Sequence, residues 1–176
     1  KNSNCENKWL TFEMAIDLEK SPLNMMQRLT LAFVSGDMFT VVLRGNGDMI
    51  ESWNSNWDYP IPNQLHMKTL INNLNAWRKK AGLDYIVTGR MQKPLEFEGT
   101  NAIPMLTKPA GLPINFQSVL TSNWQSQNGR NAQFFANYLA EAQEITIDVS
   151  ALKDVKIHYN ANNATGTNAE DGKITI

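Results

Sequence analysis

The sequence predicts an α+β fold of two or three small modules, each an amphipathic helix packed on a short two- to three-stranded sheet. The first observation behind this is a recurring order of helix, short hydrophobic strand, polar break and second strand. It runs between Leu23 and Ile50, between Leu65 and Gly99, and between Asn131 and Tyr159. Helices that feed locally paired strands make α+β units, and repetition of such a unit points to scaffolding or binding rather than to one catalytic cleft. The second observation is size: 176 residues suffice for one buried domain, or for modules of roughly 50–80 residues packed together.

Residues 1–8 are polar and uncapped and read as a flexible leader. The first module spans 9–53. From Trp9 to Leu18 apolar residues alternate with Thr11, Glu13, Ala15 and Asp17, the period of a strand with one buried face. Ser21-Pro22 is a helix start, with Ser21 as N-cap and Pro22 at the position where its missing N–H costs nothing. Leu23, Met26, Leu29, Thr30 and Phe33 then mark a buried stripe, and Ser35-Gly36-Asp37 stops the helix. Phe39–Leu43 and Met49–Trp53 flank the turn signal Arg44-Gly45-Asn46-Gly47-Asp48 and predict a hairpin. Residues 54–65, with Trp57, Tyr59, Pro60 and Pro62, form an aromatic, proline-containing loop.

The second module spans 66–124. Met67, Leu70, Ile71, Leu74, Trp77 and Ala81 follow helical spacing, Gly82 ends the helix, and Arg78, Lys79 and Lys80 suit its negative pole. Strands are predicted over Leu83–Val87 and Leu95–Glu98, a loop over 101–113 and a helix over 114–124. The third unit, 125–176, begins with a polar break. A helix is predicted on Phe134, Phe135, Tyr138, Leu139 and Ala142, then an alternating strand on Ile145, Ile147 and Val149, and a flexible polar tail from Asn160 to Gly172. Ile174 and Ile176 suggest that the chain stops within a further strand, as a piece of a larger protein would.

A content of 42% hydrophobic and 19% charged residues is that of a folded chain, and no run approaches the ~20 apolar residues of a spanning helix. The formal net charge of −1 lacks the basic signature of a nucleic-acid binder. Cys5 is the only cysteine, which rules out an internal disulfide and a cysteine-built zinc cluster. A chain that begins with Lys1 rather than Met reads as a processed product, and with its Asn-rich, Cys-poor composition this predicts a periplasmic or secreted protein of the bacterial envelope.

The segment Ala76-Trp77-Arg78-Lys79-Lys80-Ala81-Gly82-Leu83-Asp84-Tyr85-Ile86-Val87, followed by Met91–Gly99, resembles the small periplasmic modules on the amino-terminal side of secretin channels. It is similar also to the short domain of signalling TonB-dependent receptors. The junction Ala81-Gly82-Leu83, the strand Tyr85-Ile86-Val87 and the alternation Leu95-Glu96-Phe97-Glu98 carry the resemblance, over about half of the chain. The third copy has the same flow without the glycine, and the first has Val34-Ser35-Gly36-Asp37 in place of the junction. The resemblance implies ring-forming or docking modules of a secretin, pilus or conjugative secretion machine.

Little in the chain points to catalysis. His66 and His158 are far apart and lack neighbours at metal-ligand spacing. Glu96 and Glu98 share one side of a strand, a pattern that serves acid–base chemistry in glycosidases but also marks the solvated face of any amphipathic strand. Trp53, Trp57 and Tyr59, set among Asn54, Ser55, Asn56 and Asp58, offer aromatic area on a polar loop and are the candidate binding anchors. Lys79, Lys80 and Arg90 are candidate rim residues. The expectation is a non-enzymatic interaction or assembly module with no cofactor and no metal, which binds a protein partner or itself and meets a membrane only through a larger assembly. A secreted carbohydrate-binding or carbohydrate-active protein, with Glu96 or Glu98 as acid, is the first alternative, and a surface or pilus structural subunit the second.

Overall fold

The computed structural model describes residues 11–12, 22–39, 64–106, 113–150, 152–162, 167–168 and 173–175. In chain order these residues form β1 (Thr11–Phe12), α1 (Pro22–Val34), β2 (Met38–Phe39), α2 (Gln64–Lys79) and a π turn (Leu83–Val87). There follow β3 (Arg90–Gln92), β4 (Phe97–Glu98), β5 (Ala102–Leu106), β6 (Pro113–Gln117), β7 (Val119–Gln125), β8 (Asn131–Asn137), β9 (Glu144–Ile147), β10 (Lys156–Ile157), β11 (Thr167–Asn168) and β12 (Lys173–Thr175). The fold is α+β, with small sheets of two or three strands. One three-stranded sheet has the order β3-β7-β8 and another β12-β9-β4, both antiparallel. β5-β6 and β10-β11 are two-stranded and antiparallel, and β1-β2 is a parallel pair.

The sheet β3-β7-β8 is the centre, because both of its faces are packed. In the β7–β8 register, Leu120 faces Ala136, Ser122 faces Phe134 and Trp124 faces Ala132, while Met91 of β3 pairs with Trp124. Side chains two apart share a face. These residues therefore form one side, on which Met26, Leu29, Phe33 and Val34 of α1 and Met67, Leu70 and Leu74 of α2 close the main core with Ile86, Trp124 and Tyr138. The odd-numbered residues of β7 and β8 point the other way, where Val119 and Phe135 meet Phe97, Ile145 and Ile157 in a second core. The boundary expected between 124 and 125 falls inside β7, and the main core draws on all three expected units.

Both α-helices carry the stripes predicted for them. α1 opens on Pro22 and ends in a Schellman motif: the Gly36 N–H donates to the Phe33 carbonyl at 2.9 Å and the Asp37 N–H to the Ala32 carbonyl at 2.8 Å. Gly36 sits at φ +72°, and a Cβ there would lie 2.6 Å from Cη2 of Trp124. This helix end is thus seated directly on the ring at the centre of the core. The Trp124 indole N–H is satisfied by Ser122 Oγ at 2.8 Å.

Several local expectations are corrected: the loop expected over 101–113 holds β5, and the flexible tail expected from Asn160 to Gly172 holds β11, paired with β10. Leu83–Val87 is a π turn rather than a strand: the Gly82 N–H reaches back to the Trp77 carbonyl at 2.7 Å and the Thr88 N–H to the Leu83 carbonyl at 3.4 Å, both i→i−5. A Cβ at Gly82 would stand 2.6 Å from the Trp77 oxygen, so the glycine lets the chain widen its helix instead of leaving it. Residues 114–124 lie on β6 and β7 rather than on a helix, since Val119 and Trp124 are wanted on opposite faces of one sheet. The helix predicted through Phe134 and Ala142 is β8 followed by a turn, in which Asn137 Oδ1 accepts from the Leu139 N–H at 2.9 Å. Of Leu95–Glu98 only Phe97–Glu98 is strand, because Leu95 is bonded by a side chain instead of a ladder. The hairpin predicted beyond Phe39 and most of the aromatic loop lie outside the described residues; α2 already begins at Gln64.

Gly36→Ala is expected to destabilise the chain, because a left-handed non-glycine residue costs about 1–3 kcal/mol and the added methyl also displaces Trp124. Urea unfolding followed by tryptophan fluorescence checks this; an unchanged midpoint would contradict the packing described for this helix end.

Candidate functional site

Asn128-Gly129 turns the chain between β7 and β8. Gly129 adopts φ +82°, Ser126 and Arg130 close the loop through a 2.8 Å backbone bond, and Ser126 Oγ bonds Asn128 Oδ1 at 2.6 Å. The turn sets a register of seven pairs, from Gln125↔Asn131 to Val119↔Asn137. β7 is bonded on both sides. β8 is bonded to β7 alone and ends the sheet, and no other strand pairs with it among the described residues. A row of backbone donors and acceptors on a free strand is a template for another strand, and proteins blunt such edges with lysines, prolines, bulges or shortness. β8 carries no charged residue and no proline, and at seven residues it outruns the opposite edge, β3, which has three.

Apolar groups flank this edge on both faces. Phe134 holds an edge-on cluster with Phe33 at 6.0 Å, Trp77 at 6.3 Å and Tyr85 at 6.3 Å between ring centroids. Phe134, Trp77 and Tyr85 are each only half-buried. On the other face Phe135 meets Phe97 at 5.3 Å. Beside it the Gln133 amide imitates a strand: its Oε1 accepts from the Leu95 N–H at 2.7 Å and its Nε2 donates to the Leu95 carbonyl at 3.0 Å and to Thr121 Oγ1 at 3.1 Å. Asn123 Nδ2 donates to the Lys93 carbonyl at 3.0 Å. These two amides lay residues 93–95 across the polar part of the central sheet on their way from β3 to β4.

The predicted anchors Trp53, Trp57 and Tyr59 lie outside the described residues. Lys79 and Lys80 are exposed at the end of α2, and Lys80 Nζ donates to Asn162 Oδ1. Arg90 is exposed at the start of β3 in register with Gln125, on the edge of the sheet opposite β8. The basic residues bracket the π turn in sequence, and its Leu83 and Val87 are exposed. Glu96 and Glu98 are both exposed; Glu98 is on β4 opposite Thr146, and Glu96 precedes the strand. His66 is half-buried on α2 and His158 follows β10. Among the described residues no group of three or more His, Cys, Asp and Glu is placed to hold a metal ion.

Two polar side chains, the half-buried Arg78 and the buried Tyr138, brace the core. The Arg78 guanidinium donates to the Asp37 carbonyl, beside the cap of α1, and burial lowers its pKa. The Tyr138 hydroxyl, just past β8, donates to the Gln117 carbonyl at 2.9 Å, and burial raises its pKa. The first bond joins α2 to the end of α1, and the second closes the open end of the β7–β8 hairpin. No family model matches the chain, and neither a curated protein nor a solved structure matches it. Among the described residues no helix is long and apolar enough to cross a membrane.

Gln133→Ala is expected to release residues 93–95 while the core persists, since the two lost backbone bonds are worth about 0.5–1.5 kcal/mol each. Hydrogen exchange at the Leu95 amide should then speed up with little change at β7; an unaffected Leu95 would show that the clasp does not hold the crossing.

Proposed function

We propose that the chain is a non-enzymatic interaction module of a bacterial envelope apparatus, periplasmic or secreted, that docks a protein partner by adding a strand to the β8 edge. The observation that carries this reading is the seven-residue outer strand of the central sheet, which has no charge, no proline and no strand beyond it among the described residues, and carries half-buried aromatic rings. Strand addition gains affinity from main-chain hydrogen bonds and specificity from alternate side chains on either face. Here those faces differ: Phe134 with Trp77 and Tyr85 on one, and Gln133 and Phe135 on the other. The envelope setting, whether secretin, pilus or conjugative machine, rests on the sequence resemblance of Ala81-Gly82-Leu83 and Leu95–Glu98 to secretin modules alone, because the strand that the resemblance implies at Tyr85–Val87 is a π turn; the mode of docking rests on the edge.

A photo-crosslinking amino acid placed at Asn131, in the cells that make the chain, tests the reading against the same label at Arg28 on the exposed side of α1. The expected outcome is a protein adduct from position 131 and none from 28. Absence of a protein adduct at 131, with glycan binding that is lost in Trp57→Ala, would replace the docking reading with carbohydrate recognition.

A further inference from the structure

The face of the central sheet turned away from the helices is only partly covered. Val119 and Phe135 lie under the second core, and the other side chains on this face are polar. Toward the Asn128-Gly129 turn they stand in two rows across the three strands, set by the ladder registers. Gln92, Asn123 and Gln133 make the inner row, and Arg90, Gln125 and Asn131 the outer one. Residues 93–95 cross the inner row. There the Gln133 amide meets both main-chain groups of Leu95 and the Asn123 amide meets the Lys93 carbonyl, so alternate residues of one segment are held by neighbouring strands. On the outer row Arg90 and Asn131 are exposed and Gln125 is half-buried. Gln125 Nε2 reaches the Gly129 carbonyl at 3.5 Å; among the described residues neither Gln125 Oε1 nor the Asn131 side chain has a hydrogen-bond partner.

We propose that the outer row binds an extended segment of a partner protein by its main chain, as the inner row holds residues 93–95. The contact lies on the face of the sheet, separate from strand addition at β8, so either can hold without the other. A carboxamide presents a donor and an acceptor side by side, the complement of one residue's N–H and C=O. Gln133 makes that pairing with Leu95. Two residues of an extended chain rise about 6.7 Å while neighbouring strands stand about 4.8 Å apart, a difference that the length of Asn and Gln side chains takes up. One residue of the segment therefore meets Gln125 and the second residue along meets Asn131, as Lys93 meets Asn123 and Leu95 meets Gln133. The rows are about 7 Å apart along the strands, too wide for a ladder between the segment and residues 93–95, so the carboxamides supply its bonds. A polypeptide suits this row better than a glycan, because no aromatic ring stands in it for a sugar to stack on. The rings of this face, Phe97 and Phe135, are packed on each other in the second core.

The probe is a synthetic peptide with the sequence of residues 92–96, which already lies along such a row, titrated into the isotope-labelled chain at about 1 mM and above. The side-chain NH2 signals of Gln125 and Asn131 should shift saturably. The same peptide N-methylated at every residue but its proline lacks the main-chain donors and should leave those signals in place. Gln125→Ala/Asn131→Ala should weaken the peptide about tenfold, read from the backbone amides of β3 and β8. If that variant does not fold, the two peptides compared on the unaltered chain decide. Shifts confined to the amides of Asn123 and Gln133 would mean that the peptide only replaces residues 93–95, and would overturn the proposal. So would the absence of any shift, equal binding of the N-methylated peptide, or shifts at Gln125 and Asn131 with chitotriose and none with the peptide.

Discussion

The structure depends on β7 being packed on both faces, bonded to β8 along its whole length and to β3 over Asn123–Gln125. Trp124 and Leu120 fill its helix side, Val119 its other side, and β3 and β8 flank it. Each layer is thin: two helices on one side, and short two- and three-residue strands around Glu144–Ile147 on the other. The helix layer packs also on Ile103 and Phe116 of β5 and β6, but among the described strands only β7 and β8 contribute to both cores. The polar groups on β7 are consistent with this place. Ser122 serves the Trp124 indole, Thr121 Oγ1 donates to the Phe134 carbonyl at 2.9 Å, and Asn123 pins the crossing segment, so the buried strand leaves these side chains satisfied.

A strand of this kind makes its outer neighbour consequential. β8 takes its geometry from β7 but has no strand beyond it among the described residues, and its side chains are committed to two different cores. It is therefore held rigid and extended by both cores. Rigidity of this sort lowers the ordering cost of strand addition, since only the incoming strand has to be fixed. The clasp by Gln133 shows the same surface already holding extended backbone within the chain, at Leu95.

The helices were legible because each buries one stripe. Met26, Leu29 and Phe33, and Met67, Leu70 and Leu74, recur at three and four, and a single period survives in the sequence. Ile145 and Ile147 of β9 were legible for the same reason at period two. β8 was not: Phe134 and Phe135 are adjacent yet buried on opposite faces, which erases the alternation, and with Tyr138, Leu139 and Ala142 they mimic a helical stripe. The signal that could have found it is Asn128-Gly129, a hairpin dipeptide seated between two runs of equal length. The π turn was hidden differently, since Tyr85, Ile86 and Val87 favour strand locally and only the i→i−5 closure at Gly82 keeps them helical. Of the predicted rim, Lys79 and Lys80 stand exposed at the end of α2 and Arg90 on β3, the other edge of the sheet; that β8 is the outer strand of its sheet among the described residues follows from topology, which no local pattern encodes.

Residue-resolved hydrogen exchange of the monomeric chain tests the open edge most directly. If β8 is paired on one side only, its amides that bond β7 are strongly protected, and the alternate amides facing outward exchange nearly as fast as in an unfolded peptide. Uniform protection of all seven residues in the monomer would mean that another part of the chain already covers β8, and would contradict the account.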